Sequence, residues 1–308
     1  MMEPIIASVT VSKNAKSLIS NHLHALLSQT YRLTEIVVVD NASTDGTAEF
    51  VAEHFPSATL IRLEKNEGVG GGFSVGLEYA VSRKYDWVWM FGQDSIPPPE
   101  TLEKLLSAYR SLPDLEHVGL VAPLPVDVNS RLRLLPFRWK DGQVVVLPSS
   151  GGETVTFVDM VISSGSLIRS EAIKKVGLPR RDFFIDFVDY EHCLRLRQHG
   201  YLIAVVNNCF MAHTIGHPRR VKLFGKPMSW TTHAPWRDYY KVRNRAFVVW
   251  HQFPSARAKI FVVRKFLTQT IGTLLFDPQK SIRVKLMWRG LRDGILGRLG
   301  IQVAPTDS

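Results

Sequence analysis

The sequence predicts an α/β protein, in which a mostly parallel sheet is flanked by helices and followed by a basic helical appendage. Short β-branched and apolar runs alternate with segments of helical periodicity between residues 5 and 123. Such alternation is typical of a parallel sheet with helices on both faces. Residues 237–300 contain 14 Lys and Arg but only 3 Asp and Glu, whereas the rest of the chain has 24 and 25. We therefore predict a sheet domain, residues 1–250, and C-terminal amphipathic basic helices, residues 251–308.

The composition excludes several classes of protein. With 45% hydrophobic and 21% charged residues, the chain of 308 residues has an ordinary globular composition. No apolar run approaches the roughly 20 residues that span a bilayer, and the N-terminus lacks the pattern of a secretory signal. The only cysteines, Cys193 and Cys209, form no disulfide framework and are not spaced as zinc ligands. We therefore expect a cytoplasmic protein.

Five short apolar runs predict the strands of the first half, and the segments between them predict helices. The strands are IIASVTV (5–11), EIVVVD (35–40), TLIRL (59–63), DWVWMF (86–91) and HVGLVAP (117–123). The first helix, residues 17–29, is expected to bury Leu18, Leu23, Leu26 and Leu27 on one face. Thr47 is expected to cap the second helix. The glycine run in residues 66–72 predicts a loop, and the third helix is expected to begin after it, at Phe73.

The second half is less regular. Residues 125–157 predict loops or a hairpin, and residues 157–170 predict a strand, a turn and the start of a helix. The segments 255–276 and 281–299 both have apolar and basic faces, and Asp277-Pro278 separates them. They predict two helices with a break at the proline.

Three carboxylates and a histidine stand where predicted strands turn into loops or helices. Asp40 ends the second strand, Asp94 follows the fourth, and Asp189 and His213 come from two later segments. Ligands of α/β proteins bind at the carboxyl edge of the sheet. We therefore expect these four side chains to form one metal–diphosphate site.

Four segments give the chain a family resemblance. They are VVVDNASTDGT, NEGVGGGFSVG followed by DWVWMFGQDS, FFIDFVDYEHCLR and YYKVRNRAF. In this order and spacing, over about residues 5–250, the chain resembles the family 2 inverting glycosyltransferases with a GT-A fold. Within that family it is most similar to bacterial rhamnosyl- and galactofuranosyltransferases. The resemblance implies an NDP-sugar donor, either dTDP-rhamnose or UDP-galactofuranose.

The resemblance assigns donor contacts to the first three segments. Asp40 and Asn41 are implied to hydrogen-bond the pyrimidine base; the alternative is an Asx turn that ends the strand. The glycine segment, with Asn66, Gly70 and Gly71, is implied to lie against the diphosphate and ribose, or else it is only a turn. The dinucleotide fingerprint is excluded because its third glycine would fall at Phe73. Gln93 is a further implied donor contact.

The same resemblance implies a divalent cation, Mn²⁺ or Mg²⁺. Asp94 occupies the last position of the family's D-x-D motif, and His213 matches the histidine ligand that accompanies it. The cation would neutralise the leaving diphosphate. Gly92 stands where the first carboxylate of D-x-D is expected, so one charge is missing.

Asp189 is implied to be the general base that deprotonates the acceptor hydroxyl. Asp186 and Glu191 are close in sequence, and like charges there would raise a carboxyl pKa. Five residues are predicted to contact the acceptor or to support the residues that do: Glu191, Ser164, Gly165, Trp230 and Arg243. For the aromatic and basic members the alternative is core packing and solvated charge.

The sequence therefore predicts a metal-dependent, inverting transfer of sugar to a hydroxyl of a lipid-linked or polysaccharide acceptor. The basic tail predicts peripheral contact with an anionic membrane at the inner face of the plasma membrane. No nucleic-acid motif accompanies the charge, so no nucleic-acid partner is expected. One alternative is a sugar-nucleotide pyrophosphorylase, but its glycine-rich first loop is absent from VSKNAKS. The other is a non-catalytic nucleotide-sugar-binding protein, which only Gly92 favours.

Overall fold

The computed structural model describes residues 3–127, 136–140, 143–147, 154–213, 217–223 and 226–305. The chain divides into two compact units. The first comprises Met1–Arg138, Val146–Arg181 and Asp189–His213, and the second comprises Trp139–Val145, Asp182–Val188 and Thr214–Ser308. This division groups residues 214–250 with the C-terminal helices. The predicted boundary after residue 250 divides a transferase domain from helices with possible membrane contact, and this division of function stays a prediction.

The strands and helices have the following bounds. The strands are β1 Ile6–Ser12, β2 Glu35–Asp40, β3 Thr59–Arg62, β4 Trp87–Gly92, β5 Val118–Asp127, β6 Phe137–Lys140, β7 Gln143–Val146, β8 Val155–Val158, β9 Leu167–Arg169, β10 Leu202–His213, β11 His217–Leu223 and β12 Lys226–Thr232. The helices are α1 Ile19–Leu27, α2 Thr47–His54, α3 Gly68–Ser82, α4 Thr101–Arg110, α5 Ser170–Val176, α6 Val188–Gln198, α7 Pro235–Phe247, α8 Ala256–Phe276 and α9 Lys280–Ile295. A 3₁₀ turn at Arg181–Phe183 precedes α6, and a π-helical turn at Val248–Gln252 follows α7.

The first unit is built on one sheet with the strand order β3-β2-β1-β4-β9-β5-β10-β8. β1 runs parallel to β2 and β4, β2 to β3, and β5 to β10. β9 is antiparallel to both β4 and β5, and β8 is antiparallel to β10. The predicted mostly parallel sheet with flanking helices is confirmed, and the five predicted strands are β1 to β5.

The buried face of α1 differs from the predicted one. Ile19, Leu23 and Leu26 are buried, but Leu18 is 46% exposed and Leu27 is 55% exposed. The helix begins only at Ile19, so Leu18 lies outside it. The buried positions follow the i, i+4, i+7 spacing of one helix face, and Leu27 lies off that face.

The predicted glycine loop is largely helix. α3 begins at Gly68, five residues before the predicted start, and Gly68, Gly70, Gly71 and Gly72 are all buried within it. A Cβ on Gly72 would lie 2.5 Å from Cγ1 of Val11, and one on Gly76 would collide with Cγ1 of Val9. The glycines therefore allow α3 to lie close against β1.

The cap of α2 is also different from the predicted one. The carboxylate of Asp45 accepts a hydrogen bond from the Thr47 backbone N–H at 3.0 Å and another from the Lys16 N–H at 3.0 Å. Thr47 is the first helical residue, and its hydroxyl accepts from the Ala15 N–H at 2.9 Å. The N-cap residue is Gly46, and the carboxylate of Asp45 before it satisfies a free N–H of the first turn.

The second unit contains α7, α8 and α9, and β11 and β12 form its antiparallel hairpin. The two predicted tail helices are confirmed as α8 and α9. A Cβ on Gly290 or Gly294 would collide with the α7 backbone at Tyr239 O and Arg243 O, respectively. α9 therefore crosses α7 at these two glycines. Within the described residues, no helix is both long and apolar enough to span a bilayer.

Candidate active site

Strand register brings several predicted site residues to one edge of the sheet. Asp40 lies opposite Ser12 at the end of β1, and Gly92 lies opposite Val11. The segments that follow β1, β2 and β4 therefore begin side by side. The Lys13 backbone N–H donates to Oε1 of Gln93 at 2.5 Å, which ties two of these segments together.

Asp40 is buried at this edge, and one of its carboxylate oxygens lacks a partner. Oδ2 accepts a hydrogen bond from the Ser43 backbone N–H at 3.0 Å. Oδ1 is buried and has no hydrogen-bond partner among the described residues. A buried carboxylate oxygen without a donor is costly. The arrangement is therefore suited to a ligand that brings an N–H or O–H group.

The side chain of Asn41 is used by the protein itself. Its Nδ2 donates to Gly68 O at 2.9 Å, and its Oδ1 accepts from the Glu67 N–H at 2.8 Å. Asn66 adds a contact from Oδ1 to the Gly68 N–H at 2.9 Å. The two asparagines thus fix the start of α3. Their contacts with a donor, and those of Gly70 and Gly71 in the first turns, stay predictions.

Asp94 lies exposed in the turn after β4. No hydrogen bond or ion pair engages its carboxylate within the described part of the chain. A Cβ on Gly92 would lie 3.3 Å from Oδ1 of Asp94, so the missing D-x-D carboxylate would have stood beside it. The carboxylate is therefore available to a ligand or a cation.

A buried histidine that the sequence did not reveal supports this turn. Nδ1 of His22 lies 2.5 Å from Ser95 O, and Nε2 lies 2.8 Å from the Thr10 hydroxyl. Because a carbonyl only accepts, Nδ1 carries the proton and Nε2 accepts from Thr10. Burial lowers the pKa of His22 to about 4, so the ring is neutral at pH 7. A signal was present: His22 stands between Ile19 and Leu26 on the buried face of α1.

Ser164 and Gly165 lie beside the end of β4. The Gly92 backbone N–H donates to Oγ of Ser164 at 3.3 Å. The Gly165 N–H donates to Met90 O at 2.8 Å, and its φ is +82°. A Cβ on Gly165 would also lie 2.6 Å from Sδ of Met211. Gly165 is therefore required by the backbone, while Ser164 stands near the segment that bears Asp94.

Asp189 lies in the first turn of α6 and is partly exposed. The two neighbouring acids are each paired with an arginine. Oε1 of Glu191, which is fully buried, accepts from Nε of Arg195 at 2.7 Å. Asp186 accepts from Nη2 of Arg237 at 2.8 Å and from Nε at 3.1 Å. Arginines therefore engage both neighbouring carboxylates, and the predicted effect of like charges stays a prediction.

The backbone that leads into Asp189 is strained. Three non-glycine residues have left-handed φ angles, which are 63° at Phe184, 60° at Asp186 and 70° at Phe187. Such conformations cost energy and persist where the surroundings impose them. They cluster at functional sites, which fits the assignment of Asp189.

α7 imposes this conformation through a clamp that the sequence did not reveal. Nδ2 of Asn244 faces three carbonyl oxygens, those of Phe183 at 3.0 Å, Ile185 at 2.9 Å and Asp186 at 2.7 Å. Nη2 of Arg243 donates to Asp182 O and Phe183 O, both at 3.0 Å. The segment YYKVRNRAF therefore holds the loop 182–187 from the adjacent helix.

Two predicted acceptor residues are occupied in packing. Arg243 is fully buried, and in addition to its backbone contacts its guanidinium lies 4.7 Å from the ring centre of Tyr240. The ring of Trp230 rests on Gly272 of α8 and lies 5.7 Å from that of Phe276. An acceptor contact by either residue stays a prediction.

Of the two predicted ligands of the cation, Asp94 and His213, the structure describes the side chain of Asp94 only. No group of three or more His, Cys, Asp or Glu residues that could hold a metal occurs in the described part of the chain. β10 ends at His213, but the side chain of His213 lies outside the described residues. Magnesium is usually held by one or two carboxylates together with substrate phosphates. The exposed, unpaired carboxylate of Asp94 fits that mode of binding.

Residues 8–175, more than half of the chain, match the sequence profile of Glycosyl transferase family 2. The chain belongs to glycosyl transferase family 2. The dTDP-rhamnosyl transferase RfbF of Shigella flexneri is 28% identical over 270 residues, covering 86% of this chain and 87% of that protein. The galactofuranosyltransferase GlfT1 of Mycolicibacterium smegmatis is 23% identical over 257 residues, covering 80% and 83%. The predicted family and its enzymatic class are confirmed.

Solved structures confirm the fold of this family 2 glycosyltransferase. S. aureus TarS 1–349 in complex with UDP-GlcNAc gives a TM-score of 0.61 at 20% identity, covering 94% of this chain and 80% of that one. GalNAc-T7 with UDP, GalNAc and Mn²⁺ gives 0.60 at 15% identity, covering 95% and 56%. The predicted GT-A architecture therefore holds, with the C-terminal helices in place.

Proposed function

We propose that this glycosyltransferase moves rhamnose or galactofuranose from an NDP-sugar to a hydroxyl of a lipid-linked or polysaccharide acceptor, with inversion. The observation that carries the proposal is the buried, unpartnered Oδ1 of Asp40 at the end of β2, at the same edge of the sheet as the end of β4, which Asp94 follows. The relatives are named as a dTDP-rhamnosyl transferase and a galactofuranosyltransferase, which favours these two sugars.

Asp40 would recognise the base of the donor. Uracil and thymine both present a ring N–H, which the buried Oδ1 would accept, and adenine presents none on the equivalent edge. Asn41 and Asn66 hold the first turn of α3, whose free backbone N–H groups suit a diphosphate. Gln93, Gly70 and Gly71 complete the proposed donor contacts.

Binding of free nucleotides tests this step. UDP or dTDP should raise the melting temperature of the protein, since ligand binding stabilises by mass action, and ADP should not. Asp40→Ala should lose the effect, whereas the control Asp114→Ala, which changes an exposed carboxylate, should keep it. Equal stabilisation of both variants would show that Asp40 does not bind the base.

Asp94 and His213 would hold Mn²⁺ or Mg²⁺, which supplies charge neutralisation to the leaving diphosphate. Gly92 leaves this protein one carboxylate short of D-x-D, so we expect weak affinity for the cation. Transfer should stop in EDTA and return when Mn²⁺ or Mg²⁺ is added. Full activity in the chelator would contradict the assignment.

Asp189 would accept the proton of the acceptor hydroxyl. As the oxygen attacks the anomeric carbon, the bond from that carbon to the diphosphate oxygen breaks and the nucleoside diphosphate departs. A single displacement inverts the anomeric centre. The clamp from Asn244 to the loop 182–187 would set the position of this carboxylate.

α8 would bring the enzyme to an anionic membrane. Five large apolar side chains recur every three or four residues and are 43–58% exposed: Ile260, Val263, Leu267, Ile271 and Leu274. Leu275, which is 53% exposed, follows directly. Arg257, Lys259, Arg264 and Lys265 lie on the same helix. An apolar stripe beside basic residues suits the interface of a bilayer with anionic headgroups.

Co-sedimentation with vesicles tests this contact. The full chain should pellet with vesicles that contain phosphatidylglycerol, more at low than at high salt, and less with phosphatidylcholine alone. A triple variant, Ile260→Ser, Leu267→Ser and Ile271→Ser, should remain in the supernatant. Val146→Ser, which changes an apolar side chain that is 57% exposed on β7, is the control. Equal pelleting of the triple variant and wild type would exclude α8.

A further inference from the structure

The second unit contains a buried arginine that lacks an anionic partner. Arg245 on α7 is 8% exposed. Its Nη2 donates to the neutral amide oxygen of Gln269 on α8 at 3.1 Å, and its Nε is buried without a partner in the described residues. Burial lowers the pKa of Arg245 to about 10, and no neighbouring carboxylate opposes that effect. An uncompensated buried cation is costly to retain.

Two lysines surround this arginine. Lys241 lies one helical turn earlier on α7, and Lys265 lies one turn before Gln269 on α8. Burial, together with the charge of Arg245, lowers the pKa of Lys265. Burial also lowers the pKa of Lys241; Asp186 and Asp238 oppose this effect, while Arg237 and Arg245 add to it. Each of the two lysines therefore lies close enough to Arg245 to be repelled by it.

The nearest carboxylates are already engaged elsewhere. Asp186 accepts two hydrogen bonds from Arg237. Asp238 accepts from Nη1 of Arg283 at 2.6 Å. Among the described residues, these two ion pairs leave Lys241, Arg245 and Lys265 without a carboxylate of their own. The cluster thus carries an excess of positive charge in a partly buried place.

A second buried N–H group without a partner belongs to a side chain whose ring packs on the same face of α8. Lys265, Gln269 and Gly272 follow the i, i+4, i+7 spacing of one helix face. Arg245 contacts Gln269, and the ring of Trp230 rests on Gly272. Nε1 of Trp230 is buried with no acceptor in the described part of the chain. Both groups require oxygen atoms that the described side chains do not supply.

We propose that Lys241, Arg245 and Lys265, with Nε1 of Trp230 alongside, form a binding site for a phosphate or diphosphate group. Such a group offers several acceptor oxygens and more than one negative charge, which three cations and an indole N–H can share. Lys265 is exposed, so it marks the side from which the anion enters. These residues belong to the second unit, whereas the proposed donor contacts belong to the first.

The group could be carried by the nucleotide or by a lipid-linked acceptor, and the two sources can be distinguished. The full chain would be titrated calorimetrically with inorganic pyrophosphate in EDTA, at a fixed salt concentration of 150 mM. Wild type should bind, and Arg245→Gln and Lys241→Gln should each bind about tenfold or more weakly. Lys285→Gln, an exposed change on α9, is the matched control and should bind like wild type.

The source of the group is tested with the Asp40→Ala variant, which disables the proposed base contact. If the site takes a lipid diphosphate, farnesyl diphosphate should bind this variant at wild-type strength, and farnesol should not bind. If it takes the nucleotide, Arg245→Gln should weaken the binding of both pyrophosphate and UDP, whereas Asp40→Ala should weaken the binding of UDP only. Either result supports the site. Loss of UDP binding in Asp40→Ala alone would concern the base contact only.

Two results would overturn the proposal. One is equal pyrophosphate affinity in wild type, Lys241→Gln and Arg245→Gln. The other is equal weakening in the Lys285→Gln control, which would mean general charge attraction. Because Arg245→Gln removes a buried group, its fold would be checked by circular dichroism. If Arg245→Gln does not fold, the pyrophosphate affinities of Lys241→Gln and Lys265→Gln, which change less buried side chains, test the site instead.

Discussion

At the scale of single residues, Asp189 is the group on which the proposed chemistry depends. Asp189→Asn removes the base while preserving size and polarity, and the loss of a general base typically slows a reaction about 10²–10⁴-fold. The transfer rate at saturating substrates should fall by that factor, with the Kd for UDP unchanged by calorimetry. Glu171→Gln, on the surface of α5, is the control. A variant that keeps its transfer rate within about twofold of wild type would remove Asp189 from the mechanism.

Asn244 should affect activity by positioning the loop 182–187, which precedes Asp189, and not by contacting the substrate. Asn244→Asp replaces its donor group with an oxygen that faces the carbonyls of Phe183, Ile185 and Asp186. Leaving buried acceptors unpaired costs on the order of 1–3 kcal/mol each. We expect a lower free energy of unfolding in urea and a kcat that falls much more than the donor KM rises.

Asn66→Asp is the matched control for this stability change. Asn66 uses its Oδ1, an acceptor that aspartate keeps, so the bond from the Gly68 N–H survives. Its free energy of unfolding should be close to that of wild type. If Asn244→Asp unfolds at the wild-type urea concentration, the clamp does not hold the loop.

The identities of many site residues could be predicted from the sequence, but their partners could not. Asp40 and Asp94 end apolar runs, so their place at the sheet edge follows from the strand pattern alone. That Asn41 is tied to Gly68 and Glu67, or that Asp186 pairs with Arg237, depends on distances across the fold. Sequence spacing carries no information about such long-range or side-chain-specific pairings.

At the scale of elements, the contact of α3 with β1 leaves no room for a side chain at Gly76. A Cβ there would collide with Cγ1 of Val9 and lie 3.1 Å from Cγ2 of Val39. Gly76→Ala should therefore lower the free energy of unfolding by about 1–3 kcal/mol through overpacking. In a Val9→Ala background the same change should cost clearly less, because the obstructing methyl groups are gone.

A double-mutant cycle measures this coupling. Neighbouring residues typically couple by about 0.5–3 kcal/mol, whereas independent ones add within about 0.5 kcal/mol. Urea unfolding of Gly76→Ala, Val9→Ala and the double variant gives the value. Simple additivity would show that α3 moves away from β1 instead of pressing on Val9.

The strands of the sheet can be predicted from the sequence, but the start of α3 cannot. β1, β2 and β4 are buried on both faces, so continuous apolar runs mark them clearly. Glycines disfavour a helix by intrinsic propensity, so the residues 68–72 were predicted as a loop. Packing against β1 outweighs that propensity, and this tertiary term is not visible in the local sequence.

At the scale of the whole molecule, buried neutral histidines should make stability depend on pH. Burial, with a smaller effect of Arg195, lowers the pKa of His192 from 6.5 to about 3. Between those values the unfolded chain binds a proton that the folded chain does not, so the free energy of unfolding falls as the pH falls below 6.5. Each unit of pH in this range costs up to about 1.4 kcal/mol.

Urea unfolding between pH 7.5 and pH 4.5 checks this dependence. His192→Gln keeps an amide donor for Gly177 O and cannot be protonated, so its stability should decline less steeply. His199→Gln, an exposed change just after α6, should leave the wild-type slope. His22 contributes in the same direction, so a residual slope is expected. An unchanged slope in His192→Gln would mean that His192 is solvated in the native state.

The position of β9 has a consequence for how the chain is made. This strand of three residues stands between β4 and β5 and pairs with both, although β4 ends at Gly92 and β5 at Asp127. During synthesis, β1 to β4 can assemble early, but the edge of β4 stays open until residues 167–169 have left the ribosome. An open sheet edge invites pairing with other chains. Nascent chains stalled before residue 167 should therefore aggregate or recruit chaperones more than chains stalled after residue 213, in which β10 also covers the other edge of β5.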